Sequence, residues 1–248
     1  MRKILTLLFG LVLTSQAAQA DNLSFCYDPY PPYTLGEEGP ATGGMKVALL
    51  DAVMAQIDGV SATVTLLPWK RCQAVVRAGE MDGILPLFSN DERREYLAMS
   101  QETIDQVAAF WHRKGQFDDE FDWSGDYAEL SHLQLGMLNG SYIDAEMEAA
   151  FEAQSEITRA RDVPTLLELL MLGRIDVVAI DASVGRYVVA RQDLQDDLVQ
   201  IDRPISSKMS YFGLSKASGA DRHLEEFNRA IATLQENGAL SAIVNADY

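Results

Sequence analysis

Two stretches decide the fold: VVRAGEMDGIL at Val75–Leu85 and LELLMLGRIDVVAI at Leu167–Ile180. Each reads as the end of a helix, a glycine (Gly79, Gly173), two further residues, an aspartate (Asp82, Asp176) and an apolar strand. One glycine after a helix is a common C-cap and means little alone. Here the same punctuation returns 94 positions later, inside the same order of elements. That recurrence predicts two related units.

Working outward, each unit alternates strand and helix. Upstream of the first stretch, Leu23–Tyr27 predicts a short strand stopped by Asp28-Pro29-Tyr30-Pro31-Pro32-Tyr33, since proline cannot donate to a ladder. Met45, Leu49, Val53 and Ile57 recur at helical spacing, and Gly59 closes that helix. Thr63–Leu67 predicts a strand, Lys70–Ala78 a helix, and Gly83–Leu87 a buried strand. The second unit repeats the plan: a strand at Leu133–Leu138, a helix running from the Asn139-Gly140-Ser141 turn to Ala153, a helix at Pro164–Leu172 and a strand at Val177–Ile180. Alternating strands and helices predict parallel sheets in both units. Ligands of such sheets sit off the carboxyl ends of the strands, here the loops Asp28–Tyr33, Phe88–Arg93 and Gly140–Tyr142. Val107–Arg113 and Met209–Leu214 predict strands leaving and re-entering the first unit, and Asp221–Glu236 and Gly238–Asn245 predict closing helices. The layout is then residues 21–106 with 206–248 as one lobe and 107–205 as the other.

The chain has 248 residues, of which 48% are hydrophobic and 23% charged, an ordinary globular balance that excludes a low-complexity or disordered class. Its formal charge of −17 repels phosphate backbones and argues against a nucleic-acid partner. Three scattered histidines and two cysteines offer little to a zinc ion. None of His112, His132 and His223 stands by a nucleophile signature, and Walker and dinucleotide glycine patterns are missing, so no cofactor is expected. Asp118-Asp119-Glu120 reads as a solvated loop rather than a metal site.

The first residues have the three parts of a secretory signal: Arg2 and Lys3, an apolar run from Ile4 to Leu13, and Ala18-Gln19-Ala20 for the peptidase. The run is short for a bilayer, whose hydrocarbon core takes about 20 apolar residues. Cleavage after Ala20 would export the chain and shift its formal charge to −19, with Arg2 and Lys3 removed. In an oxidising compartment Cys26 and Cys72 can pair or remain two buried thiols.

Several short motifs now line up: Asp28-Pro29-Tyr30-Pro31-Pro32-Tyr33, Gly44, Leu67-Pro68-Trp69-Lys70-Arg71, Gly79-Glu80-Met81-Asp82-Gly83, Asn90-Asp91-Glu92-Arg93, Met99-Ser100, Gly140-Ser141 and Ile180-Asp181. Their order and spacing resemble the family 3 extracytoplasmic solute-binding proteins of amino-acid ABC transporters over nearly the whole exported length. The Pro-Trp-Lys-Arg-Cys form, with a cysteine in the first strand, resembles one sub-branch and supports pairing Cys26 with Cys72.

The resemblance implies an α/β fold of the type II periplasmic-binding-protein kind, with two lobes, a hinge and a cleft that closes on ligand. It implies a monomer in the periplasm that hands a small carboxylate-bearing molecule, an amino acid or a relative, to a membrane permease, and that is no enzyme. Arg93 would take the ligand carboxylate, as a permanently charged fork suits two oxygens; without the match it reads as a solvated helix charge beside Arg94. Gly140-Ser141 would offer backbone N–H groups at a helix start, or simply cap that helix. Asp181 would take an ammonium group, or cap the following helix. Tyr30, Tyr33 and Trp69 would form walls, with Arg71 nearby.

The sequence also departs from the family pattern. Leu85-Pro86-Leu87-Phe88 replaces the usual hydroxyl-bearing strand end, Asn90 replaces a threonine, and Tyr142 stands where a second threonine is common. Fewer polar contacts to an ammonium group follow, which opens the cleft to a larger or more apolar carboxylate. Two other readings stay open: a dehydratase-like enzyme on the same scaffold, with Asp181 as its acid or base, and a ligand-sensing accessory protein.

Overall fold

The structure is a computed structural model describing residues 21–117, 122–141, 143–246 and 248. The signal segment, Asp118-Asp119-Glu120 and Tyr142 lie outside the described residues. In chain order the first unit contains β1 (Asp21–Tyr27), β2 (Gly39–Pro40), α1 (Met45–Met54), β3 (Val60–Leu66), α2 (Trp69–Arg77), β4 (Gly83–Leu87), α3 (Asp91–Tyr96) and β5 (Leu97–Met99). Then follow β6 (Asp105–Arg113), β7 (Leu135–Leu138), α4 (Ala145–Glu152), β8 (Thr158–Ala160), α5 (Val163–Met171), β9 (Val177–Asp181), α6 (Ala182–Arg191), β10 (Leu198–Gln200) and β11 (Ser206–Met209). The chain closes with β12 (Tyr211–Ser215), α7 (Leu224–Glu236) and α8 (Ala239–Val244).

Two sheets result. The first runs β2-β3-β1-β4-β12-β5, and the second runs β10-β6-β9-β7-β8 with β11 added beside β6. The expected parallel pairing holds for β1 with β3 and β4, and for β7 with β8 and β9. Both sheets are nevertheless mixed, since β12 pairs antiparallel with β4 and β6 pairs antiparallel with β9. The sequence reading begins the return segment at 206, but Ser206–Met209 still pairs with β6 in the second sheet. The chain re-enters the first sheet only at Tyr211.

The repeated joint has a physical cause. Glu80 and Gly79 donate N–H groups to the Val75 and Val76 carbonyls at 2.9 and 3.1 Å, and Arg174 and Gly173 do the same to Leu169 and Leu170 at 2.9 and 3.0 Å. Both are Schellman caps, and both need the left-handed backbone that Gly79 (φ 75°) and Gly173 (φ 65°) adopt. The aspartates that follow then seize the first strand of their unit. Asp82 accepts the Ser24 N–H at 2.8 Å, and Asp176 accepts the Gln134 N–H at 2.9 Å. Each also donates its own N–H back to the same residue's carbonyl at 2.8 Å. Helix end, turn and strand register are thus fixed together by the same bonds in each unit.

Each sheet has its own aromatic knot. Phe25, Phe212 and Phe227 meet at 5.4–6.2 Å in the first, and Phe110 packs on Trp123 and Phe151 at 5.2 and 5.8 Å in the second. All are buried, and each such ring contributes about 1.5–3 kcal/mol by leaving water. Helix α7 buries Phe227, Ala230, Ile231 and Leu234, the i, i+3, i+4, i+7 stripe of an amphipathic helix. Cys26 of β1 is bonded to Cys72 of α2, with Cα atoms 5.7 Å apart.

Candidate functional site

A cavity of about 190 Å³ opens between the two sheets. Tyr30 and Phe88 reach it from loops of the first sheet. The second sheet supplies Gln106 and Ala108 of β6, Ala179, Ile180 and Asp181 of β9, and Ser206 and Lys208 of β11. Leu138, Ser141 and Ile143 close one side. The volume falls below the roughly 300–1,000 Å³ of drug-sized pockets, so a small metabolite suits it.

Asp181 takes the helix-capping role, one of the two that the sequence leaves open. Its Oδ1 accepts the N–H groups of Ser183 and Val184 at 2.9 and 3.0 Å, capping α6. Its Oδ2 accepts the Tyr33 hydroxyl at 2.9 Å, a bond that joins the loop after β1 to the end of β9. Burial pushes its carboxyl above the usual range, while those hydrogen bonds and Lys46 pull it back. Tyr33 in turn stacks on Tyr30, with centroids 5.4 Å apart.

Beneath this wall lies a group that the sequence reading missed. Lys46 of α1 is 0% exposed, and its Nζ donates to the Tyr27 hydroxyl at 2.6 Å and to Gln106 Oε1 at 3.4 Å. The ammonium also lies over the Tyr27 and Tyr33 rings, 4.0 and 4.8 Å from their centroids. Burial lowers its pKa to about 7, against the pull of Asp28 and Asp181. Asp28 is itself raised by burial and drawn down by Lys46. A signal was available: Lys46 stands in register with Leu50 and Val53 on the buried stripe of α1, where a lysine must find partners.

Other expected residues are distributed unevenly. Arg93 packs its guanidinium 5.3 Å from the Trp69 ring and donates to the Phe88 carbonyl, next to the cavity wall. Trp69 leans on Tyr27 at 5.4 Å. Ser141 lines the cavity, with its hydroxyl bonded to the Leu138 carbonyl at 2.9 Å. Asn90 caps α3 by accepting the Arg93 N–H at 2.9 Å and is exposed, as are Arg71 and Gly140; none of these three is a cavity wall, and neither are Arg93, Tyr33 and Trp69. The expected helix start at Gly140-Ser141 is corrected. Helix α4 begins at Ala145, because Asp144 caps it by accepting the Met147 N–H at 2.8 Å. Gly140, at φ 72°, serves the turn that ends β7. Among the described residues no cluster of three histidine, cysteine or carboxylate side chains could hold a metal, and no helix is long and apolar enough to cross a membrane.

Comparison with known proteins agrees with this architecture. The arginine-binding periplasmic protein of Mannheimia haemolytica is 23% identical over 250 residues, covering 98% of this chain and 96% of that protein. Among solved structures, GlnP substrate-binding domain 2 of Lactococcus lactis in the open conformation superposes with a TM-score of 0.73 at 18% identity, covering 92% of this chain and 97% of its own. The L-cystine solute receptor of Neisseria gonorrhoeae, unliganded and open, gives 0.70 at 17% identity over 91% and 92%. These likenesses show the type II periplasmic-binding-protein fold, and these relatives are solute-binding proteins, not enzymes. The family described as bacterial extracellular solute-binding proteins, family 3, matches residues 23–246, nearly everything after the signal-like segment, and the chain belongs to that family.

Proposed function

We propose that this protein captures a small carboxylate-bearing molecule, an amino acid or close relative, in the cavity between its sheets and delivers it to an ABC transporter permease. It works as a periplasmic monomer after cleavage following Ala20. The two sheets act as the lobes, with β6 and β11 as the hinge between them. The observation that carries this reading is Asp181: a part-buried carboxylate on the cavity wall, fixed by α6 on one oxygen and bonded to the Tyr33 hydroxyl on the other. It receives the ligand's ammonium group.

Arg93 takes the carboxylate. A guanidinium carries five donors, and the Phe88 carbonyl engages one of its nitrogens. Stacking on Trp69 holds the fork at the cavity edge. Tyr30 and Phe88 cover the ligand from the first sheet, Ser141 from the second. Arg71, Asn90 and Gly140 lie on the surface outside the cavity wall and come to the ligand only if closure carries them inward.

Native mass spectrometry of the exported protein should find a retained small metabolite with intact mass. Conversion of that compound on incubation would instead favour an enzyme. Arg93→Ala is expected to weaken calorimetric affinity for the retained compound by at least tenfold, from the roughly 1.5–3 kcal/mol of a charged hydrogen-bond partner. Its melting temperature should stay unchanged, since Arg93 is only half-buried. An unaltered affinity would remove Arg93 from the site.

A further inference from the structure

We infer that Lys208 selects for a second anionic group, so that the preferred ligand is an amino dicarboxylate rather than a cationic amino acid. This rests on the amino-acid-type reading above and names its substrate class.

The argument starts from strand register. Asp181 of β9 faces Ala108 of β6, and Ala108 faces Ser206 of β11. Two residues along, Gln106 of β6 faces Lys208 of β11. Directly paired residues share a sheet face, as do residues two apart on one strand. Asp181, Ala108, Ser206, Gln106 and Lys208 therefore form one surface, and all five line the cavity. Its middle is flat, made of the small side chains Ala108 and Ser206. Its ends are opposite in charge.

At one end stands the Asp181 carboxylate. At the other, the Lys208 ammonium donates at 3.4 Å to the carbonyl of Ile143, itself a cavity wall. Gln106 lies between two lysines, paired in register with Lys208 and bonded to Lys46 at 3.4 Å. A ligand whose side chain ended in a guanidinium or ammonium would set a like charge against Lys208 at this end. A carboxylate there gains a charge-assisted bond instead. Specificity of this kind arises as much from repelling the wrong ligand as from holding the right one. With Asp181 on the ammonium and Arg93 on the α-carboxylate, Lys208 is left to read the side chain.

Calorimetry of the exported protein with L-glutamate, L-aspartate, L-glutamine and L-arginine tests this. One of the two acidic amino acids should bind tightest, with L-arginine weaker than it by at least about tenfold. Lys208→Gln should remove the preference for L-glutamate over L-glutamine, and Lys208→Glu should raise L-arginine affinity. The strand position is exposed, so both variants should fold. If L-arginine binds tightest to the unaltered protein, or if Lys208→Gln keeps the preference for L-glutamate, the role of Lys208 is overturned while the amino-acid reading stands. If none of the four binds, the dicarboxylate class is overturned, while the amino-acid reading is decided separately by the metabolite retained in native mass spectrometry.

Discussion

Replacing Cys26 and Cys72 together by alanine lowers the unfolding free energy by about 4 kcal/mol. The two cysteines are 46 positions apart, and in the chain-entropy account a closed loop of that size costs the unfolded state this much freedom. For a chain of this length the melting temperature should drop by roughly 10 °C. The bridge ties α2 to β1 from inside the first core, since both cysteines are fully buried. It also sits in the first turn of the helix that carries Trp69, the ring on which Arg93 rests. Ligand affinity should therefore weaken with stability. Thermal melts of the variant and of the reduced protein check the expectation, and melting within about 2 °C of the oxidised protein would refute it.

The second large effect is a dependence on pH. Lys46 has a folded pKa near 7, depressed by burial from the ordinary lysine value of 10.5. Between those values the unfolded chain keeps the proton that the folded protein has released. Raising the pH then favours the folded state, with a slope of up to about 1.4 kcal/mol per pH unit. Below pH 7 both states are protonated and the slope vanishes. Lys46→Met keeps the length of the side chain and removes the titration. Urea unfolding at pH 7 and pH 9.5 should show the unaltered protein gaining about 3 kcal/mol that the variant does not gain. Equal pH responses would mean that Lys46 does not exchange its proton in this range.

The repeated joint was readable from sequence because Schellman caps are local, built from residues within a few positions of each other; the partners of Asp82 and Asp176 lie 58 and 42 positions away and were not readable. The capping role of Asp181 was readable for the same reason as the caps, since an acid between an apolar strand and a helix is a strong N-cap signal. Lys46 and Lys208 were not. Lys46 is on the stripe of α1 that faces the sheet, and its partners come from β1 and β6. Lys208 gains meaning only from the pairing of β11 with β6, two segments about a hundred positions apart. The start of α4 was misplaced because two capping signals, Ser141 and Asp144, lie three residues apart, and the aspartate wins by bonding Met147.

The doubling back of β6 and β11 has one more consequence. Thr103 donates its N–H to the Ser210 carbonyl and Ser210 donates to the Ile104 carbonyl, both at 2.9 Å, so the chain leaves and re-enters the first sheet at adjacent points. Topologically the whole second sheet is an insertion whose ends already touch. A two-residue hairpin turn between Ile104 and Ser210 would close the gap. The stapled half of the molecule, with Phe25, Phe212 and Phe227 at its centre, would keep its sheet order and its disulfide after such an excision. The cleft then lies between one body and a second hung from it on two neighbouring strands.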